Sequence, residues 1–226
     1  DDQYRLMPFE ENDILANGKG QYAQLRSEID RRSPTTKMLL SVGGWGFNSE
    51  KTWDGKGCPR ACPKVFTNMV STKKNRALFI KHAIEYLRKH KFDGLDLDWE
   101  YPVIPGVPGH KYQDEDKDNF TDLVIRLRKY MNKGDILSFA AGGFDRFFDN
   151  SIDWEKVMPL VDNVNVMSYD LVSGFSKFTG HHTALYSTPE QKRSGDYGVN
   201  YLKKLGVPTE KIVLGAAFYG LSLIHI

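Results

Sequence analysis

Residues 92–102 read Phe-Asp-Gly-Leu-Asp-Leu-Asp-Trp-Glu-Tyr-Pro, and this segment is the most informative part of the 226-residue chain. Successive side chains of a β-strand point to opposite faces, so Asp96, Asp98 and Glu100 share one face at intervals of about 6.6 Å. The other face carries apolar side chains that we expect to pack beneath helices: Leu95, Leu97 and Trp99. Three acids on the inner face of a buried strand are costly unless a function requires them.

Strand patterns alternate with helical patterns on both sides of this segment. The predicted strands are residues 37–42, 92–99, 136–141, 163–169 and 212–218. The predicted helices are residues 21–32, 75–90, 119–131 and 197–205. This alternation is typical of parallel β/α units, and nearly continuous apolar strands indicate a sheet covered on both faces. We therefore predict an α/β fold with its reactive groups at the carboxyl ends of the strands.

The composition excludes several classes of protein. Hydrophobic residues make up 40% of the chain, charged residues 27%, and the formal net charge is +2. These values argue against disorder, and the sequence has no concentrated basic face for a nucleic acid. No apolar run approaches the roughly 20 residues that a membrane span requires.

The pattern of cysteines and histidines does not predict a metal site. Cys58 and Cys62 form either one local disulfide or two free thiols, and no nearby pair completes four zinc ligands. His181 and His182 are adjacent, so their side chains should diverge in a loop near the cleft.

The acidic face of the central strand predicts acid catalysis. Crowded carboxylates share a proton, so at least one pKa rises, and a carboxyl that stays protonated near neutral pH can act as a general acid. Glu100 is the candidate acid because it lies at the strand end, with Asp98 beside it and Asp96 deeper. A solvated acidic edge is the first alternative, but the intervening leucines argue against it. A Mg²⁺ or Ca²⁺ site is the second, although nothing nearby resembles a phosphate cradle or a calcium loop.

Several motifs resemble those of family 18 glycoside hydrolases, in particular the chitinase catalytic domain. Residues 93–100 match the signature Asp-x-x-Asp-x-Asp-x-Glu, and residues 41–44 resemble the Ser-x-Gly-Gly motif of the third strand. Residues 167–170 resemble the Met-x-Tyr-Asp motif of the sixth strand, and residues 215–220 resemble the end of the seventh. The resemblance implies a (β/α)8 TIM barrel that is incomplete here, with only its third to seventh strands.

The same resemblance implies a retaining, substrate-assisted hydrolysis of chitin, in which the substrate's own acetamide oxygen is the nucleophile. It implies four catalytic residues: Glu100, Asp98, Asp96 and Tyr169. It also implies a set of substrate-binding residues: Gly43, Gly44, Trp45, Tyr101, Met167, Ser168, Asp170 and Tyr219. No metal or organic cofactor is implied. The expected protein is secreted, is monomeric when complete, and binds chitin or N-acetylglucosamine oligosaccharides but neither nucleic acid nor membrane.

Two regions depart from the family pattern. The first, second and eighth strands of the barrel would lie outside residues 1–226. The eighth strand of the family carries a tryptophan beneath the reacting sugar, so that tryptophan would also lie outside this range. Leu221 stands where the family usually has arginine, and residues 221–226 do not resemble the family. We expect residues 1–220 to be a partial catalytic barrel, followed by a non-family tail such as a misassembled coding sequence produces. Residues 1–226 expressed alone should aggregate and lack chitinase activity.

Two other functions remain open. One is a chitin-binding, lectin-like protein without catalysis, although members of that kind usually replace the final acid of the signature and Glu100 is intact. The other is an endo-β-N-acetylglucosaminidase that acts on N-glycans. Trp45 and residues 98–102 favour chitin over N-glycans as the substrate.

Overall fold

The fold is known from a computed structural model that describes residues 4–8, 10–48, 65–174 and 176–222. Five parallel strands form one sheet in the order of the chain: β1 Leu39–Gly43, β2 Gly94–Asp98, β3 Ile136–Gly142, β4 Asn163–Met167 and β5 Ile212–Leu214. The α-helices of these residues are α1 Gln21–Arg32, α2 Val65–Val70, α3 Lys73–His90, α4 Asp116–Tyr130, α5 Asp145–Asn150, α6 Trp154–Val157 and α7 Gly195–Lys204.

The predicted α/β fold is confirmed, and the differences from prediction lie at element ends and in short helices. Helix α3 begins two residues early because the Thr72 side chain caps it, accepting a hydrogen bond from the Asn75 backbone at 3.1 Å. Strand β5 ends at Leu214 instead of residue 218, and Phe218 is fully exposed. The short helices α2, α5 and α6 were not predicted, because four to six residues hold too few turns for a periodic signal.

The central strand β2 separates an apolar face from an acidic one. Leu95, Leu97 and Trp99 are buried, and the Trp99 ring stacks on Phe66 with a centroid distance of 5.2 Å. Full burial of each large side chain stabilises the fold by about 1.5–3 kcal/mol. The predicted structural role of Trp99 is confirmed, and the acids are left on the opposite face.

The outer strands of the described sheet each pair along one edge. β1 pairs with β2, and β5 pairs with β4. Val213 and Leu214 in β5 are exposed apolar side chains. Such edges are templates for pairing with another chain.

Across the described residues, the helices are too short or too polar to cross a bilayer. Cys58 and Cys62 lie outside the described residues.

Candidate active site

Asp96 lies at the bottom of the acidic face and accepts three hydrogen bonds. The donors are the Ser41 hydroxyl at 2.8 Å, the Ser138 hydroxyl at 2.6 Å and the Asn165 amide at 2.9 Å. Ser41 and Ser138 are the register partners of Asp96 on the two neighbouring strands. Polar side chains of β1, β3 and β4 thus satisfy a carboxylate inside the sheet, although Asn165 pairs with Ala140, two residues beyond Ser138.

Asp98 and Glu100 lie toward the carboxyl end of β2, where protonation is favoured. Burial, with the Asp96 charge as a second cause, raises the pKa of Asp98 from 3.8 to about 6. Burial and then the Asp98 charge raise the pKa of Glu100 from 4.5 to about 8. Glu100 is only 7% exposed, and Asp98 Oδ1 has no hydrogen-bond partner among the described residues. Near neutral pH the pair therefore holds about one proton.

The backbone and neighbouring side chains fix the position of Glu100. Hydrogen bonds from the Tyr101 side chain and the Trp45 backbone to the Glu100 carboxyl favour its ionised form, but their effect is smaller than that of burial. The peptide bond between Glu100 and Tyr101 is cis. A Cβ at Gly106 would overlap the Glu100 carbonyl oxygen, so the loop after β2 packs directly on the backbone of the acid.

A cavity of about 640 Å³ opens above these acids and contains most of the predicted site residues: Trp45, Asp98, Glu100, Tyr101, Met167, Tyr169 and Asp170. Trp45 is 41% exposed, as a sugar-stacking surface requires, and its ring makes an edge contact with Tyr101 at 6.4 Å between centroids. Burial, followed by the Asp98 charge, raises the pKa of the Tyr169 phenol, so Tyr169 remains a hydrogen-bond donor.

Four predicted binding residues do not line this cavity. A Cβ at Gly43, where φ is +117°, would overlap the Asp98 carbonyl oxygen, and the Gly44 N–H donates to that oxygen at 2.8 Å. The Ser168 hydroxyl donates to the Gly215 carbonyl at 2.7 Å. The Tyr219 hydroxyl donates to Asp170 Oδ2 at 2.8 Å. Gly43, Gly44 and Tyr219 thus contact residues of the cavity wall, whereas Ser168 binds the carbonyl of Gly215, which does not line the cavity.

The remaining wall residues were missed by the sequence reasoning: Pro105, Gly143, Phe144, Leu171, Ser173, Gly174, Arg193 and Leu221. Most lie on loops after the strands, where neither periodicity nor a motif marks them. Leu221 stands where the family usually has arginine, so this departure falls on the cavity wall. Ser138 and Asn165 were also missed, although a polar residue inside an apolar strand could have indicated them.

The chemistry available here is proton transfer with an oriented hydrogen-bond donor. One carboxyl is protonated near neutral pH, its neighbour titrates about two pH units lower, and a phenol lies in the same cavity. Within the described residues no group of three or more His, Cys, Asp or Glu side chains is arranged to hold a metal ion.

The fold and this arrangement of acids are those of a glycoside hydrolase, and the chain belongs to the glycosyl hydrolases family 18, whose family model matches residues 4–224. It is 37% identical over 202 residues to oviduct-specific glycoprotein of Papio anubis, covering 86% of this chain and 29% of that protein. It is 35% identical over 234 residues to chitotriosidase-1 of Mus musculus, covering 98% of this chain and 45% of that protein.

A solved structure supports the same assignment. A mutant of catalytic domain 2 of the group II chitinase of Ostrinia furnacalis, in complex with penta-N-acetylchitooctaose, superposes with a TM-score of 0.80 at 28% identity. The match covers 97% of this chain and 54% of that one. The chain thus spans less than half the length of the two curated relatives, and its sheet is part of a TIM barrel.

Proposed function

We propose that this protein hydrolyses β-1,4-linked N-acetylglucosamine polymers by a retaining, substrate-assisted mechanism. The observation that carries the proposal is the pair Asp98 and Glu100, two buried carboxyls in one cavity with pKa values of about 6 and about 8. Such a separation provides a proton donor beside a carboxylate at the same pH.

Glu100 starts the reaction by giving its proton to the oxygen of the glycosidic bond. The bond from that oxygen to the anomeric carbon breaks, and the sugar on the leaving side departs as an alcohol. The acetamide carbonyl oxygen of the reacting unit attacks the anomeric carbon from the opposite face. The product of this step is a cyclic oxazolinium ion, and Glu100 is left as a carboxylate.

Asp98 and Tyr169 act on the acetamide during this step. The Asp98 carboxylate accepts the acetamide N–H and stabilises the positive charge that develops on the ring. The Tyr169 hydroxyl donates to the acetamide oxygen and aims it at the anomeric carbon. Charges and donors held in place before the reaction favour the transition state without reorganisation.

Water completes the cycle. The Glu100 carboxylate removes a proton from a water molecule, whose oxygen opens the oxazolinium at the anomeric carbon. Two inversions give net retention, and Glu100 is protonated again. The substrate must therefore carry an acetamide at its reacting unit, as chitin does.

The relatives support this substrate class. One is named chitotriosidase, and the solved chitinase mutant was crystallised with an N-acetylated chito-oligosaccharide. Another is named as a glycoprotein, which accords with a protein of the secretory pathway, and we infer that this protein acts outside the cell on chitin or its oligosaccharides. We also infer that the complete protein works as a monomer without a cofactor.

The first experiment replaces Glu100 with glutamine in the full-length protein. Glutamine keeps the shape of the side chain but has no transferable proton, so turnover of a chitin oligosaccharide should fall at least about a hundredfold while binding is retained. Glu85→Gln, an exposed acid on α3, is the matched control. Near-normal turnover by Glu100→Gln would remove Glu100 from the mechanism.

A second experiment tests the role of the acetamide. A thiazoline mimic of the oxazolinium should inhibit competitively, and a fully deacetylated polymer should not be cleaved. Efficient cleavage of that polymer would point to a nucleophile from the protein.

A catalytically silent, chitin-binding function is the second candidate. The observation that favours it is the similarity to oviduct-specific glycoprotein, a relative whose name states no hydrolytic activity. Saturable binding of chitin oligomers by the parent protein with no turnover at any pH would favour this candidate. Release of N-glycans from a high-mannose glycoprotein, with chitin oligomers left intact, would instead indicate an endo-β-N-acetylglucosaminidase.

A further inference from the structure

The turn that follows the acidic strand has a backbone conformation that valine rarely adopts. Val103 has a φ of +68°. The Ile104 N–H donates to the Pro102 carbonyl oxygen at 2.8 Å and closes a three-residue turn around Val103. A β-branched residue with a positive φ is a strained outlier, and such strain persists only where the surrounding structure holds it. The contacts around this turn therefore show what holds it.

Two buried side chains hold the carbonyl oxygens that precede Val103. The Ser151 hydroxyl, which is fully buried, donates to the Pro102 carbonyl oxygen at 2.7 Å. His110, which is 8% exposed, places Nε2 at 3.1 Å from the Tyr101 carbonyl oxygen. Because a carbonyl oxygen only accepts, Nε2 carries the hydrogen. Burial lowers the pKa of His110 and so favours the neutral ring that this contact uses.

A third buried side chain, Asp116 at the start of α4, holds the turn itself. Its carboxyl accepts a hydrogen bond from the Val103 backbone, and Oδ2 accepts the Gln113 N–H at 3.0 Å. The Thr67 hydroxyl of α2 lies 3.0 Å from both Asp116 Oδ2 and the Lys111 carbonyl oxygen. Asp116 is fully buried, and no step of the proposed reaction uses it. One carboxyl therefore joins α2 and α4 to the loop after β2. The three clamp residues are His110, Ser151 and Asp116.

The segment that the clamp holds is in contact with Glu100. The Tyr101 side chain hydrogen-bonds to the Glu100 carboxyl. The Tyr101 ring makes edge contacts with Phe144 at 5.3 Å and Phe147 at 5.6 Å between centroids. A Cβ at Gly106, three residues beyond the turn's centre, would overlap the Glu100 carbonyl oxygen. A shift of the turn would therefore move both the backbone packed on the acid and a donor to its carboxyl.

We propose that the clamp residues are positioning residues for Glu100: they hold the strained turn at Val103, and the turn keeps the acid in the geometry that proton transfer requires. The inference rests on the proposed function. The clamp residues are not among the described wall residues of the catalytic cavity, so their effect passes through the backbone of the turn. A misplacement of about 1 Å can lower turnover about a hundredfold. Weakening the clamp should therefore lower kcat more than it changes KM.

The first test compares Ser151→Ala with Thr121→Val in the full-length protein, by turnover of a fully N-acetylated chito-oligosaccharide. Each change removes one buried hydroxyl that donates to a backbone carbonyl, at 2.7 Å from Ser151 and 2.9 Å from Thr121. The acceptor for Thr121 is Lys117, within α4 itself. In Ser151→Ala kcat should fall at least about tenfold with little change in KM, whereas Thr121→Val should keep the parental kcat.

A second pair of variants separates hydrogen bonding from packing at Thr67. Thr67→Val keeps the shape of the side chain but has no hydroxyl for Asp116, whereas Thr67→Ser keeps the hydroxyl and loses a buried methyl group. Thr67→Val should lower kcat, and Thr67→Ser should retain it. A role in packing alone would give the reverse order. If Ser151→Ala fails to fold, this pair decides.

Amide hydrogen exchange gives a readout that needs no turnover. The N–H groups of Val103 and Ile104 are hydrogen-bonded in the turn. Their exchange should be faster in Ser151→Ala and Thr67→Val than in the parent, and unchanged in Thr121→Val. Parental exchange or parental kcat in both clamp variants would overturn the positioning role while the proposed function stands. A parent protein that turns over no N-acetylated oligosaccharide would overturn the proposed function, and this inference with it.

Discussion

Replacing Glu100 with glutamine should stabilise the protein at neutral pH, although it removes the proposed acid. Burial and the Asp98 charge raise the pKa of Glu100 from 4.5 to about 8 in the fold. An acid whose folded pKa lies above its unfolded value binds more protons in the folded state. The free energy of unfolding therefore falls as pH rises between the two values. Glutamine does not titrate, so the free energy of unfolding of the variant does not fall with pH for this reason.

The size of the effect follows from the two pKa values. At pH 7, about 2.5 pH units above the unfolded pKa, keeping Glu100 protonated in the fold, when it would ionise in the unfolded chain, costs on the order of 3 kcal/mol. Near pH 4 both states are largely protonated, so this cost should almost vanish.

Denaturant titrations of the full-length parent and variant between about pH 4 and pH 9 measure this difference. The advantage of Glu100→Gln should grow with pH and level off above the folded pKa; Glu85→Gln, at an acid of α3 whose side chain is 61% exposed, is the control substitution. If parent and variant have the same pH dependence of stability, Glu100 is not held protonated by its surroundings and the reasoning is refuted.

Three further predictions concern the pH profile, the β1–β2 contact and the isolated chain. The plot of kcat/KM against pH should be a bell with limbs near 6 and 8, because the Asp98–Glu100 pair must hold one proton; a flat profile would contradict this. Gly43→Ala, whose Cβ would overlap the Asp98 carbonyl oxygen at φ +117°, should cost roughly 2–4 kcal/mol of unfolding free energy. Gly46→Ala, with open space around its Cβ, should cost little, and equal losses would argue against the overlap. Residues 1–226 expressed alone should aggregate in light scattering and lack activity, since β1 and β5 each leave one edge unpaired in the sheet of the described residues; a monodisperse, active product would disprove this.

The sequence predicted the parts of this protein that depend on local pattern. Alternation placed Leu97 and Trp99 under the helices and put the three acids on one face, as the structure confirms. The sequence could not predict which wall residues complete the cavity. Phe144 and Arg193 are 49 residues apart and meet only because the loops after β3 and β4 converge at one end of the sheet.

The sequence ordered the three acids by their depth along the strand, but it could not show how differently they are hydrogen-bonded. Two hydroxyls and an amide surround Asp96, so its charge is compensated inside the sheet. Asp98 Oδ1 has no such donor in the described part of the chain, and desolvation is the largest cause of the raised pKa of both Asp98 and Glu100. Hydrogen bonds to a carboxylate favour its ionised form, and at Asp98 and Glu100 the desolvation is the larger effect, so a proton remains to transfer. A transferable proton is thus held near the carboxyl end of the strand, because burial there outweighs the hydrogen bonds that Glu100 accepts.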